Sequence, residues 1–453
     1  MTESIVSSIA PSQSISAMTG NSKKQQQNNP ATMLALTWQG KNHVAMKSDV
    51  PIPHIIDPTD AVIRITATTI CGSDLHLLHK ALPGLKKGDV LGHEFMGTVE
   101  HVGDACKDDL PLGQRVAVSF CLACGQCEEC KCGHTSQCLC TNPSTTQPML
   151  HGHKLSGFFG YSHLTGGFAG GQAEYVRVPF AKYNCLKIPD ELPDEKALYL
   201  TDVIPTSYHA VVDTLKVLDE HLQEGAVWGV WGAGPIGTLV AKFAFVVAKA
   251  SRVIVVDRDQ QRLDHVRHKI KGVETVNFEE VRSVPDTIKR ITKDPNSSLS
   301  CGGLDVAIDA TGGEYARSWL NKIMLYVGLA TDTSETVEEC IRCVKPFGTV
   351  SIIAEYTYKS HFFPIGSVME NGIRLVGNGQ APVHKYWKHL LNEYVLPGVI
   401  DPVSLIVTHR FRLEDTARAY HLMDKHEYGM IKTFIQTRFS GERAEGPLLT
   451  PLV

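Results

Sequence analysis

The stretch AVWGVWGAGPIGTLVAKFAFVVAKASRVIVVD, residues 226–257, decides the fold. It opens on an apolar run of strand composition and turns on glycines. It then takes up the apolar period of a helix and closes on a second strand, RVIVVD. Within it Gly232, Ala233, Gly234, Pro235, Ile236 and Gly237 spell G-x-G-x-x-G. Between a strand and a helix that pattern binds a dinucleotide. Gly232 serves the tight turn, Gly234 lets the backbone approach a pyrophosphate, and Gly237 lets the helix pack on the strand. The helix N-terminus offers N–H groups to the phosphates. Asp257 ends the second strand, 20 residues beyond Gly237. Its carboxylate would accept hydrogen bonds from the adenosine ribose and repel a 2′-phosphate, which favours NAD over NADP. Arg258, next in the chain, is the residue that would tolerate such a phosphate.

Downstream the alternation continues. QQRLDHVRHKI reads as a helix, LDVAIDAT as a strand, TVEECIRCV as a helix and GTVSIIA as a strand. This predicts a parallel sheet with helices on both faces. A late helix, LEDTARAYHLMDK, and a final strand, IKTFIQT, complete the series. Upstream, residues 33 to 200 carry short Val-rich runs such as AVIRITATTI, GTVEHVG, QRVAVSF and AEYVRVP, separated by turn residues. That is the pattern of a β-rich domain. The class is therefore α/β, a doubly wound sheet joined to a second, β-rich domain.

Composition excludes several partners. Lys+Arg is 44 and Asp+Glu 48, a net charge of -4, which is no electrostatic footprint for nucleic acid. No apolar stretch approaches the roughly 20 residues of a membrane span. Residues 1–32 are rich in Ser, Gln and Asn, and we expect a disordered tail there. A cytoplasmic location is the expectation, with an organelle transit peptide as the alternative; the lack of arginine before Arg64 argues against the latter. The closing RFSGERAEGPLLTPLV reads as a surface tail.

Thirteen cysteines in a long chain point to metal-bound thiolates in a reducing compartment rather than to disulfides. Cys124, Cys127, Cys130 and Cys138 form C-x2-C-x2-C-x7-C within CGQCEECKCGHTSQC. Closely spaced thiolates on one loop give zinc the tetrahedral soft-ligand set of a closed structural site. Cys121, Cys132 and Cys140 break that spacing and read as free thiols; Cys106, Cys185, Cys301, Cys340 and Cys343 read as small buried apolar residues. A second set lies upstream. CGSDLH holds Cys71, Ser73, Asp74 and His76, and GHEFMGTVEHVG brings His93 and Glu94 22 residues after Cys71. Taken alone, Cys71 is a buried thiol and His93 a core histidine. Beside the cysteine run and the glycine loop, they are the right types for a catalytic zinc, which keeps one position open.

The order CGSDLH, GHEFMGTVEHVG, GQRVAV, the cysteine run, GGQAEYVRVP, GAGPIG and Asp257 resembles the zinc-dependent medium-chain dehydrogenase/reductase superfamily over residues 33 to 440. GGQAEYVRVPFAKYNCLKIPD and YLTDVIPTSYHA are most similar to its glutathione-independent formaldehyde dehydrogenases. The loop 141–170 and the segment 313–335 sit where that group carries insertions. The resemblance implies a GroES-like catalytic domain over 33–203, with its zinc loop at 121–140. It further implies a Rossmann NAD-binding domain over 204–378, a return to the catalytic domain over 379–439, and tails at 1–32 and 440–453.

The resemblance also implies roles. Where ordinary alcohol dehydrogenases place a third cysteine ligand, and polyol and threonine dehydrogenases a glutamate, this chain has Asp202, as the formaldehyde dehydrogenase group does. An N-cap for the helix near Pro205 is the competing reading of Asp202. Asp74 would orient His93, and Glu94 would stand behind the ligands, a transient ligand at most. Ser73 and His76 would relay the alcohol proton. Gly72 replaces a basic residue that many relatives use on the pyrophosphate, so phosphate binding falls to the glycine loop. Thr206 would face the cofactor, and Gly348 and Thr349 would wall the nicotinamide site.

The implied enzyme holds two zinc ions and NAD per subunit and self-associates as a dimer or tetramer. It oxidises a primary alcohol or short aldehyde, with formaldehyde the case the resemblance favours. A polyol or secondary-alcohol dehydrogenase is the alternative within the fold. A zinc- and NAD-binding regulatory protein is the alternative outside catalysis. Pocket candidates are the aromatics Phe158, Phe159, Tyr161, Tyr356, Tyr358, Phe362, Phe363 and Trp387, with core or surface-loop packing as the competing reading.

Overall fold

The apolar runs become strands of two separate main sheets. The computed structural model describes residues 31–79, 84–296, 300–311, 332–356, 360–361, 363–425, 429–441 and 445–451. The chain divides into two units. One takes residues up to Pro205, Pro382–Val403 and the chain from Val407; the other takes Thr206–Ala381 and Ser404–Ile406.

The second unit is built on six strands in the spatial order Val273–Asn277, Arg252–Asp257, Val227–Trp231, Leu304–Asp309, Val344–Ile352 and Arg374–Gly377. Every neighbouring pair is parallel. The order runs outward in both directions from Val227–Trp231, the doubly wound Rossmann arrangement. A parallel sheet covered on both faces demands near-continuous apolar strands. Trp228, Val230, Ile254, Val255 and Ile308 are accordingly fully buried. The glycine loop leaves the carboxyl end of the central strand, where the strand order reverses. Gly232 takes φ +100°, open only to glycine at little strain, and a Cβ on Gly237 would lie 1.8 Å from the Gly232 carbonyl oxygen. The helix Pro235–Val246 sits that close to its strand because neither residue has a side chain.

In the first unit the sheet order is Val407–Arg412, Lys432–Gln436, Ala61–Thr68, Phe95–Val102, Arg115–Val118 and Cys185–Lys187, with Tyr175–Val178 also paired to Ala61–Thr68. Its core gathers Ile63, Ile65, Phe95, Val116, Val118 and Val176. Alternation along these half-covered strands turns those residues inward. Ile435 lies opposite Thr68, so the late strand runs beside the segment leading to Cys71.

Several expectations meet the structure here. Cys106, Cys185, Cys340 and Cys343 are buried, but Cys301 is exposed: it precedes the Gly302–Gly303 turn instead of entering the strand beyond it. The closing stretch is not loose throughout. Thr450 donates its N–H to the Arg410 carbonyl at 2.8 Å, and Leu449 bridges to Arg410. Residues 1–30, most of the segment 313–335, Tyr358 and Phe362 lie outside the described residues.

The glycine packing predicts a measurable loss. Gly237→Ala forces the helix off its strand, an overpacking cost of about 1–3 kcal/mol. A lower urea midpoint at unchanged slope is the expected outcome; an unchanged midpoint would show that the turn yields freely.

Candidate metal centre

The centre assembles from four places in the first unit. After strand Ala61–Thr68 the chain is pinned to the late strand: the Ile70 N–H donates to Thr433 Oγ1 at 3.1 Å, and Thr69 Oγ1 donates to the Thr433 carbonyl at 2.6 Å. Cys71 comes next, as the N-cap of helix Gly72–Leu78. His93 and Glu94 precede strand Phe95–Val102, both buried at 1% exposure. Asp202 stands between the 3-10 turn Leu198–Thr201 and helix Val203–Leu215. One ligating atom from each of Cys71, His93, Glu94 and Asp202 falls within a mutual 4.8 Å.

Asp74 organises two of these. Its carboxylate accepts the Cys71 N–H at 2.9 Å and faces His93 Nδ1 at 3.2 Å. Gln172 approaches the same carboxylate at 3.4 Å, and Tyr420 donates to Gln172 at 2.8 Å. A carboxylate only accepts, so Nδ1 carries a hydrogen, and in the neutral ring Nε2 keeps its lone pair. That Nε2 lies 3.3 Å from Asp202 and 3.7 Å from Glu94, yet makes no hydrogen bond. Burial works to lower the His93 pKa, but the Asp74 charge and the nearby Asp202 carboxylate outweigh it and raise it well above its usual value. The pocket therefore attracts positive charge.

Sequence reasoning missed the residue opposite. Lys432 is fully buried and donates through Nζ to Glu94 Oε1, while Glu94 Oε2 has no hydrogen-bond partner. Burial raises the Glu94 pKa, and Lys432 pulls it back. Burial opposes the Lys432 charge too, and Glu94 more than restores it, so its pKa is raised. The available signal was a lysine inside the apolar run MIKTFI.

A divalent cation fits this donor set. One thiol, one imidazole nitrogen with its lone pair unclaimed, and one carboxylate are zinc-type donors that leave a fourth position open. Ser73 and His76 stand one helical turn apart on Gly72–Leu78, half-buried, and His76 is not among the four gathered donors. Among the aromatic candidates, Tyr161 meets the His93 ring edge-on at 5.1 Å, and Phe158 packs on Tyr161 and on Phe120. Phe159 instead packs on Phe95 in the core. Trp387 packs on His384, Phe363 joins the core of the second unit, and Tyr356 donates to Asp309.

Cys124, Cys127, Cys130 and Cys138 form a second group within 4.8 Å. Cys124 and Cys130 sulfurs stand 4.0 Å apart, and those of Cys127 and Cys138 3.8 Å. A tetrahedron with Zn–S bonds of about 2.3 Å has edges of about 3.8 Å. Backbone N–H groups of Gln126 and Cys127 point at Cys124 Sγ at 3.4 and 3.3 Å. The loop is braced by Asn184, which exchanges hydrogen bonds with Ala123 and meets His384 Nε2 at 2.8 Å.

The glycine loop belongs to the second unit. Gly234 caps the helix Pro235–Val246, and nothing lies within 4 Å of where its Cβ would stand, which leaves a cradle for a phosphate. Ala233 donates its N–H to Asp257 Oδ2 at 2.6 Å, so loop and carboxylate are one assembly. Asp257 Oδ1 accepts the N–H groups of Arg258 and Asp259. Arg258 is exposed and Thr206 half-buried. Thr349 Oγ1 is buried with no hydrogen-bond partner, on the strand that also carries Gly348.

Known proteins match this architecture. A family pattern described as the alcohol dehydrogenase GroES-like domain matches residues 57–190. A zinc-type alcohol dehydrogenase-like protein of Schizosaccharomyces pombe is 37% identical over 405 residues, covering 89% of this chain and 91% of its own. A glutathione-independent formaldehyde dehydrogenase of Pseudomonas aeruginosa is 29% identical over 85% of this chain and 93% of its own. The solved alcohol dehydrogenase TADH from Thermus sp. ATN1 superposes with a TM-score of 0.72 at 30% identity, over 90% of this chain and all of that one. On the extent of these matches and the donor set they accompany, the chain belongs to the zinc-type alcohol dehydrogenases of the medium-chain dehydrogenase/reductase superfamily.

Proposed function

We propose that the protein is an NAD-dependent dehydrogenase of primary alcohols or short aldehydes, formaldehyde among them. Cys71, His93 and Asp202 would hold its catalytic zinc, and Cys124, Cys127, Cys130 and Cys138 a structural one. The observation that carries this is the convergence of a thiol and a carboxylate, those of Cys71 and Asp202, on a buried imidazole nitrogen with no hydrogen-bond partner, beside a charge-neutralised glutamate. Zinc held by Cys71, His93 and Asp202 would supply Lewis acidity toward an alcohol oxygen, and a nicotinamide held at the glycine loop would supply the hydride acceptor.

The chain's own residues do the rest. Asp74 fixes the His93 ring and its tautomer. Lys432 cancels the Glu94 charge, so a Cys71 thiolate and the Asp202 carboxylate together match a divalent ion. Without that lysine the buried site would carry excess negative charge and resist forming an alkoxide. Ser73 Oγ takes the alcohol proton and His76 passes it on, one turn along the same side of the helix. Tyr161, Phe158 and Phe120 put apolar rings beside His93, which suits a small substrate with few polar groups. On the cofactor side, Asp257 at the strand end favours a free ribose over a 2′-phosphate.

Three outcomes test this reading. Zinc-replete protein should form NADH from primary alcohols or free formaldehyde without glutathione, and Asp202→Ala should lose more than about a hundredfold of that rate. Turnover confined to sorbitol, threonine or secondary alcohols would replace the substrate assignment. Lys432→Met should cost about 3–5 kcal/mol in unfolding free energy, because it strands a buried carboxylate. Adding Glu94→Gln should recover most of that loss, and no recovery would show that the two do not act as a pair. Asp257→Ala should shift kcat/KM toward NADP by about tenfold or more, and an unmoved ratio would remove Asp257 from cofactor selection.

A further inference from the structure

We infer that residues 445–451 form a strap that positions Asp202 through the buried Arg410–Glu195 ion pair. Affinity at the catalytic metal site then depends on a segment that contributes no ligand. The inference rests on the reading of Asp202 as a ligand.

Arg410 lies on strand Val407–Arg412 at 2% exposure. A buried guanidinium is stable only if its donors are answered. Nη2 donates to Glu195 Oε1 at 2.7 Å, and Nη1 to Gln436 Oε1 at 3.3 Å. The other two acceptors belong to the strap: Nη2 donates to the Glu445 carbonyl at 2.7 Å and Nε to the Pro447 carbonyl at 3.1 Å. Phe434 lies under the guanidinium, 4.6 Å from its ring centre. Gly446 makes the turn between the two carbonyls at φ +99°, and its Cβ would stand 3.6 Å from Arg410 Nη2. Thr450 ties the strap to the Arg410 backbone on both sides, accepting its N–H at Oγ1 and donating to its carbonyl. Glu445 also reaches Lys196 Nζ at 2.9 Å.

Glu195 is the link to the site. It lies in the turn Asp194–Ala197, which runs without a break into Leu198–Thr201 and then Asp202. That approach has three further anchors. Arg115 holds Asp194, Tyr199 donates to the Thr433 carbonyl at 2.8 Å, and the Thr201 carbonyl accepts the Phe120 N–H at 3.2 Å. The same strap therefore fixes the turn carrying Asp202 and the strand next to Lys432, since Arg410 pairs with Phe434. With the strap gone, water answers Arg410 and the buried pair becomes an exposed one, which holds far less firmly. Asp202 then loses one of its supports while the cysteine loop keeps all of its own. Arg410 and Glu195 are positioning residues.

Zinc per chain, measured after equilibration in chelator buffers of graded free zinc, tests this. The proteins compared are the full chain, the chain lacking 445–453, Glu195→Gln and Asp202→Asn. We expect the truncated chain to lose one of its two zinc ions at about 10- to 100-fold higher free zinc than the full chain does, the second ion being unaffected. Glu195→Gln, which keeps the acceptor but not the charge, should show the same selective weakening to a smaller degree, and it covers the case of a truncated chain that does not fold. Asp202→Asn should lose the same ion. Full-strength binding of both ions in the truncated chain, with one lost in Asp202→Asn, would overturn the strap. Equal weakening of both ions in the truncated chain or Glu195→Gln would overturn it as well, since that is general destabilisation. Two ions held normally by Asp202→Asn would instead overturn the ligand reading.

Discussion

Lys432 buries its ammonium completely against Glu94, beside His93 and Asp202. Few arrangements are as demanding. Each charge taken from water costs several kcal/mol unless a partner and hydrogen bonds answer it. The first unit supplies those answers from residues far apart in sequence: Asp74 for His93, Lys432 for Glu94, Gln172 and the Cys71 N–H for Asp74. Within this cluster, among the described residues, His93 Nε2 and Glu94 Oε2 are left without a hydrogen-bond partner. A cation at His93 Nε2 would answer that lone pair, and its binding free energy would contribute to holding the cluster together.

This requirement explains the layout of the first unit. Cys71 lies just beyond one strand, His93 just before the next, Lys432 on a third, and Asp202 at the mouth of a helix. Strand ends and helix caps are where a rigid backbone can present a side chain without surrendering its own hydrogen bonds. Thr433 shows the economy of this packing. Its hydroxyl and carbonyl hold the chain before Cys71, and its carbonyl also accepts Tyr199 on the approach to Asp202. Of the aromatic rings near His93, Tyr161 comes from a loop instead, while Phe158 lies on the short strand Gly157–Phe158.

The second unit solves a different problem by leaving atoms out. Gly232 and Gly237 let helix and strand approach, and Gly234 leaves room where a side chain would have stood. Asp257 then ties the loop to the end of its strand through the Ala233 N–H. The carboxylate that would discriminate the ribose thus also holds the turn that would hold the pyrophosphate.

By itself the sequence determined what is local. The glycine loop and the strands around it were legible because turn, strand and helix carry their own residue periods. The cysteine run was legible because its members share one loop, and the gathering of Cys71, His93 and Asp202 was legible only through resemblance to a family. Tertiary structure alone decided the rest. Lys432 and the Arg410–Glu195 pair join residues hundreds of positions apart, and neither shows any local period that announces a partner. Phe158 and Phe159 are neighbours, yet one meets Tyr161 and the other the strand core, because successive side chains of an extended segment point to opposite faces. The fate of the closing stretch was likewise undecided by composition. Polar residues read as a tail until the buried guanidinium of Arg410 required two more carbonyls, and Glu445 and Pro447 supplied them.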